Sequence, residues 1–225
     1  MTRYVITHLV VCLLFPELAR SQGSTSPEEP GMHTLFGQGR HVAHGGWGAP
    51  AAAFTRILDQ DAMLAGIKAG WIIDHRFTFG IAGYGLVTDV KSPGYDGYLA
   101  GQGIESHRPS LFRAGYGGLL LEPVIAYRSP VHVSLPIILG AGGCGHQYTT
   151  DRRPGGDQGD FRYGEDGRAF FLAEPGVEVE VNLLRIVRLG LGASYRFTSD
   201  LNIQGVPDNA LRGFDLTASL KVGVF

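Results

Sequence analysis

The sequence predicts an all-β chain folded as an eight-stranded up-and-down antiparallel transmembrane β-barrel, and three observations carry that expectation. Eight segments alternate apolar and polar residues with a period of two. Their connections alternate between short and long. Beyond the N-terminal leader, no stretch suits a membrane helix: the longest uncharged run, 129–145, holds Pro130, Pro136 and four glycines.

Residues 1–21 read as a cleaved signal peptide, with Arg3 at the basic start, an apolar run from Leu9 to Phe15, and Ala19 and Ser21 before a cut at Gln22. Val10 and Val11 before Cys12 do not suit a lipoprotein site, and loss of Cys12 leaves Cys144 as the one thiol, so no intrachain disulfide is expected. Residues 22–44, rich in Ser, Pro, Gly and Glu, read as a loose lead-in to a barrel over 45–225.

The predicted strands are 45–56, 62–73, 76–89, 112–127, 131–147, 168–182, 186–198 and 211–225. In "VRLGLGASYRF", Val187, Leu189, Leu191, Ala193, Tyr195 and Phe197 share one face and Arg188, Arg196 and Ser194 the other. In "FFLAEPGVEVEV", Phe171, Ala173, Pro175, Val177 and Val179 oppose Glu174, Glu178 and Glu180. The same parity places Lys68, Arg76, Glu122, His132, Asp215 and Lys221 on polar faces. Alternation alone does not say which face is inside. Connection lengths of 5, 2, 22, 3, 20, 3 and 12 residues do, because membrane barrels pair short periplasmic turns with long external loops. Runs of 12 to 17 residues also suit a tilted bilayer crossing better than a globular sheet. Trp71, Phe77 and Tyr127 lie near the short turns, and Phe171, Tyr195, Phe197 and Phe214 near the long loops, as two membrane-interface girdles. Three hairpins echo one another, with Glu122-Pro123 recurring as Glu174-Pro175.

Composition narrows the function classes. Glycine, 34 of 225 residues, is about twice its usual share without a triplet period, which excludes collagen. A net charge of −2 leaves no nucleic-acid footprint.

The stretches "GGWGAP", "AGWIIDHRF", "AGYGL", "GYGGLLLEP" and "VRLGLGASYRF" resemble the small predicted outer-membrane β-barrel proteins of Gram-negative bacteria, most without an assigned function. The resemblance implies an integral outer-membrane location and an eight-strand barrel, and it supplies no catalytic residue. One departure stands out: Phe225 falls in register with Gly223, Lys221 and Ser219, whereas the assembly signal of such barrels puts the final Phe on the apolar face.

Several motifs invite other readings. "GAGGCG" at 140–145 matches a dinucleotide fingerprint, but "HQYTTDRRPGGD" opens no helix after it, so Gly140 and Gly142 read as lumen positions leaving room for bulky neighbours. His132 and Ser134 resemble the His-x-Ser of outer-membrane lipid A deacylases, yet parity and the "RSP" turn place them in the lumen at the periplasmic end. Asp151, Asp157, Asp160, Glu165 and Asp166 lack EF-hand spacing and read as a solvated loop. His41 and His44 lack metal-spaced partners.

The sequence therefore points to a non-enzymatic barrel, with no cofactor and no metal. Its lumen charge network comprises Lys68, Arg76, Arg188, Arg196 and Lys221 against Glu122, Glu174, Glu178, Glu180 and Asp215. Outer-membrane lipid is the expected partner of a monomer, and loops 90–111, 148–167 and 199–210 offer surfaces for a structural or recognition role. The alternatives are a small channel or carrier of apolar molecules and, ranked last, a lipid-modifying enzyme.

Overall fold

The computed structural model describes residues 43–104, 106, 108–149, 161–163 and 167–225. The signal peptide, most of the lead-in, and the acidic residues Asp151, Asp157, Asp160, Glu165 and Asp166 lie outside the described residues.

Eight staves close into a ring. In chain order they are β1 (His44–Ile57), β2 (Gln60–Ile73), β3 (Phe77–Leu86), β5 (Leu111–Ile125), the collinear pair β6 (Val131–Ser134) and β7 (Ile137–Thr149), β9 (Arg168–Leu184), β10 (Val187–Thr198) and β11 (Gly213–Val224). Each pairs antiparallel with its chain neighbour, and β11 returns to β1, with Ala52 opposite Ala218. Two short strands lie in the long connections: β4 (Val90–Lys91) against β5, and β8 (Phe161–Tyr163) against β7.

The interval between β6 and β7 corrects the single predicted strand 131–147. Pro136 has no N–H to give the ladder. The register nevertheless continues unbroken, with Ser134 opposite Glu178 and Ile137 opposite Pro175, so inward parity is kept. The first connection is also tighter than the five residues expected. Gln60 pairs with Ile57, and Leu58 and Asp59 both take positive φ, as a two-residue hairpin turn of the I′ kind requires.

Polarity is inverted relative to a soluble sheet protein. Ile67, Ile81, Leu119, Leu139, Leu191 and Leu216 are exposed on the outside, while Lys68, Glu122, Glu178 and Lys221 are buried within. A closed ring satisfies every stave's backbone groups, and an apolar exterior suits hydrocarbon, so the molecule is a transmembrane β-barrel.

Loop 90–111 is folded, which the sequence reading did not foresee. Helix α1 (Pro93–Gly101) opens with Pro93, whose fixed φ suits a first turn. Tyr95 and Leu99, four residues apart, are its buried face. The helix lies on the segment 199–212. There Leu201, Ile203, Val206 and Leu211 are buried in the same apolar cluster as Phe112 and Phe170 of the barrel. Gly205, at φ +72°, sits against Gly94 so closely that a Cβ on either would meet the other's backbone within 2.5 Å.

The wall itself is lopsided. Inward-facing glycines occur on both halves, at Gly70, Gly80, Gly118 and Gly140 of β2, β3, β5 and β7 and at Gly176, Gly190 and Gly192 of β9 and β10, whereas β9, β10 and β11 supply most of the charged interior side chains. A Cβ at Gly118 would lie 2.2 Å from the Leu139 carbonyl oxygen, and one at Gly140 2.1 Å from that of Gly117. Gly118→Val is therefore expected to cost about 1 to 3 kcal/mol or more, as overpacking does, read from reversible urea unfolding in lipid vesicles. At Gly48, where nothing lies within 4 Å, Gly48→Val should be close to neutral by the same measurement.

Candidate functional site

The barrel interior holds two charge clusters. Near the short turns, Lys221 donates from Nζ to Glu122, to Glu180 Oε1 at 2.7 Å, and lies 3.2 Å from Glu178 Oε1. Its ammonium also sits 4.4 Å from the centre of the Trp47 ring. Lys68 Nζ donates to Glu178 Oε2 at 2.8 Å, and Ser219 Oγ to Glu178 Oε1 at 3.0 Å. His132 Nε2 is 3.1 Å from Glu180 Oε2, and Arg188 stands 3.7 Å from that same oxygen.

Towards the long loops, Arg196 faces Asp215 at 3.2 Å and donates from Nε to the Leu211 carbonyl at 2.7 Å. Glu174 accepts from Tyr116 Oη and Ser194 Oγ, both at 2.7 Å. Arg196 Nη1 reaches Tyr116 Oη at 3.4 Å, so the guanidinium and Glu174 share one phenol. Thr55 Oγ1, 3.5 Å from Arg196 Nη2, donates to the Phe214 carbonyl.

Parity explains the assembly. Glu174, Glu178 and Glu180 are alternate residues of one strand, and Gly192 and Gly190 of β10 stand opposite Glu178 and Glu180. The long carboxylates then project across the lumen to Lys68 and Lys221, 110 and 41 or more residues away in the chain. An isolated charge in so narrow a space is costly, and paired, hydrogen-bonded charges are the way such a group is tolerated.

Arg76 does not join this set, a correction to the expected network. It carries inward parity but lies in the turn before Phe77, past the end of the strand, with its side chain 63% exposed. There it stands 5.4 Å from the centre of the Tyr127 ring and 3.7 Å from Asp74. The phenol raises the Arg76 pKa, and Arg76 and Arg128 together lower that of Tyr127. Without Arg76, Lys68, Arg188, Arg196 and Lys221 face five carboxylates; Glu174 is held by hydroxyl donors and Glu180 also by His132.

Phe225 faces the interior end of the barrel, as its parity implied. The Arg188 guanidinium lies 3.7 Å from its ring centre. Of the aromatic set, Trp71, Phe171, Phe197 and Phe214 are exposed on the outer wall, with Phe77, Tyr127 and Tyr195 half-buried. Tyr195 packs 4.5 Å from Phe197 and 4.8 Å from Phe214, centre to centre. Tyr127 belongs to the turn after β5 and not to the strand. Sequence reasoning missed Phe54 and Phe79, exposed on the same wall, and the Tyr116 hydroxyl, and it set Ser194 and Ser219 on the polar faces without giving them a part in the network. Their parity was the available signal; attention to charge alone passed over it.

Other motifs take plain places. His132 and Ser134 are buried, and Ser134 Oγ has no hydrogen-bond partner among the described residues, so His132 does not activate it here. The carboxylates of Glu122, Glu178 and Glu180 are close enough to share a cation. The Lys221 ammonium lies among all three. Gly142 faces inward, where a Cβ would meet the Phe170 ring at 2.5 Å, and Cys144 is buried.

Ring closure, inward charge and an apolar exterior define an integral outer-membrane β-barrel. No family model matches the chain, and no curated protein matches it. Solved structures with which it aligns include Neisserial surface protein A, at 17% identity over 81% of this chain and 99% of that one, TM-score 0.42. The N-terminal β-barrel domain of Pseudomonas aeruginosa OprF aligns at 8% identity over 81% and 99%, TM-score 0.43. Ail, the attachment invasion locus protein of Yersinia pestis, solved with the heparin analogue sucrose octasulfate, aligns at 15% identity over 80% and 96%, TM-score 0.43.

Glu178 is bonded to Lys68, Lys221 and Ser219, so Glu178→Ala takes from buried Lys68 its one carboxylate partner among the described residues and from Lys221 one of three. It should destabilise the barrel by about 3 to 5 kcal/mol in reversible urea unfolding from vesicles. Asp61→Ala, at a side chain 99% exposed, should stay within roughly ±0.5 kcal/mol.

Proposed function

We propose that this chain is a non-enzymatic outer-membrane barrel whose lumen is plugged by its own ion pairs and whose external segments serve a structural or recognition role. The observation that carries the reading is Lys221, buried against three carboxylates, while Lys68 holds the second oxygen of Glu178 and Arg188 and His132 that of Glu180. An eight-strand interior is just wide enough for side chains, so charges of both signs in contact leave little room for solute. Above them the apolar lid of α1 and 199–212 adds a second closure. Export through cleavage of residues 1–21 and anchoring by Trp71, Phe77, Tyr127, Phe171, Tyr195, Phe197 and Phe214 at the two interfaces belong to the same proposal.

Two of the external segments form an ordered platform on this reading. Helix α1 and the segment 199–210 pack together, with Tyr98 exposed on the helix and Asp96 and Arg108 lining a groove of about 660 Å³. Rigid, folded loops present a preformed face, which lowers the ordering cost of binding a partner.

In planar bilayers the wild type should show no stepwise ion current. A variant with 93–101 replaced by a glycine-serine linker should stay silent too, because the ion pairs lie below the lid. Steady unitary current through the wild type would instead favour the channel or carrier. Sidedness follows from the same reading: Tyr98→Cys should react with an impermeant maleimide on intact cells, and Ser129→Cys only after permeabilisation.

A further inference from the structure

The short-turn end carries a cluster that the interior network does not use. The turn 74–76 and the turn 126–130 meet there, tied by the Val124 N–H donating to the Arg76 carbonyl at 2.7 Å. Tyr127 is the hub. Its ring lies parallel to that of His75, 5.9 Å between centres, and the guanidiniums of Arg76 and Arg128 stand 5.4 and 5.5 Å from its centre. Both guanidiniums act on the phenol and hold its pKa below the ordinary value. Two like charges are thus gathered on one ring. The carboxylate paired with Arg76 is Asp74, 3.7 Å away with both side chains more than half exposed; Arg128 has no carboxylate partner among the described residues.

What lies beside the cluster says which anion it suits. The outer faces of β3 and β5, which lead away from these turns, present Phe79, Ile81, Leu119 and Ile125 exposed to hydrocarbon. A ligand that reaches the guanidiniums from the membrane therefore needs an anionic head and apolar tails. Guanidinium groups match phosphate oxygens in fork geometry, and basic side chains at a bilayer surface draw anionic lipid.

We propose that Arg76 and Arg128, positioned by Tyr127 and His75, bind the phosphate of an anionic phospholipid in the leaflet at the short-turn end, with its acyl chains along β3 and β5. The phosphate shares the two guanidiniums and relieves their mutual repulsion. Asp74, in a loose exposed pair, gives way at little cost.

The protein carries its own reporter. Trp71 is exposed on β2 directly opposite Phe79, one strand from the cluster, while Trp47 is buried inside and gives a constant background. The full chain is reconstituted in phosphatidylcholine vesicles containing phosphatidylglycerol, with one or the other lipid dibrominated, and tryptophan quenching is compared. Brominated phosphatidylglycerol should quench more strongly than its mole fraction predicts, by up to about fivefold in relative affinity for each guanidinium. In the Arg76→Gln/Arg128→Gln double variant the preference should fall to near unity, with heat-modifiable gel migration confirming that the barrel is folded. Arg185→Gln, in the turn between β9 and β10, should leave the preference intact.

Equal quenching by the two lipids overturns the proposal, as does a preference that survives the double variant. Equal loss in Arg185→Gln would mean diffuse surface charge in place of a site and would also overturn it. Added inorganic phosphate should not abolish the preference; if it does, the cluster recognises free phosphate and the lipid assignment fails.

Discussion

The fold depends on one constraint: inside hydrocarbon, every backbone N–H and C=O must find a partner in the protein. The pairing of β1 with β11 meets it, since without Ala52 opposite Ala218 and its neighbours both strands would be open edges. Closure with eight staves then fixes a narrow interior. Polar residues excluded from the lipid side are forced into that space, and charges placed there must meet one another. The ion pairs of Lys68, Lys221 and Arg196 are in this sense consequences of ring closure.

The two ends of the barrel are finished by different chemistry. At the short-turn end, Arg188 reaches Glu180 on one side and covers the Phe225 ring on the other, so a charge and an aromatic together complete the wall. At the long-loop end, aliphatic residues do the work: Leu99, Leu201, Ile203 and Leu211 are all buried. Arg196 joins the regimes. It pairs with Asp215 in the barrel and donates to the Leu211 carbonyl of the lid.

Much of this was legible because period-two alternation is a local property. The strands and their parity follow from spacing, and the alternation of short and long connections adds the inward direction of Glu122, Glu174, Glu178, Glu180, Asp215 and Lys221. Arg76 shows the limit: parity says which face a residue shares, but not where the strand stops, and one position before Phe77 the side chain leaves the interior. Helix α1 was missed for another reason. Its nine residues include three glycines and only two that are buried, too few to show a helical period, and the close approach of Gly94 to Gly205 lies far along the chain. Ion-pair partners were likewise out of reach, since which cation meets which carboxylate depends on barrel curvature. The tight turn at Leu58 and Asp59 was hidden because polar Gln60 and Asp61 resemble loop residues.

The lopsided wall has a consequence for how the chain reaches its final state. The staves from β2 to β7 carry Lys68 and Glu122 as buried interior charges. Their partners come from β9 and β11. Lys68 to Glu178 and Lys221 to Glu122 span 110 and 99 residues of sequence, and such distant contacts reward the chain only after the cost of closing those intervals has been met. An N-terminal half inserted alone would hold Lys68 and Glu122 without their partners. Meeting those partners and docking β11 on β1 therefore belong together, and a partially threaded chain lacks both.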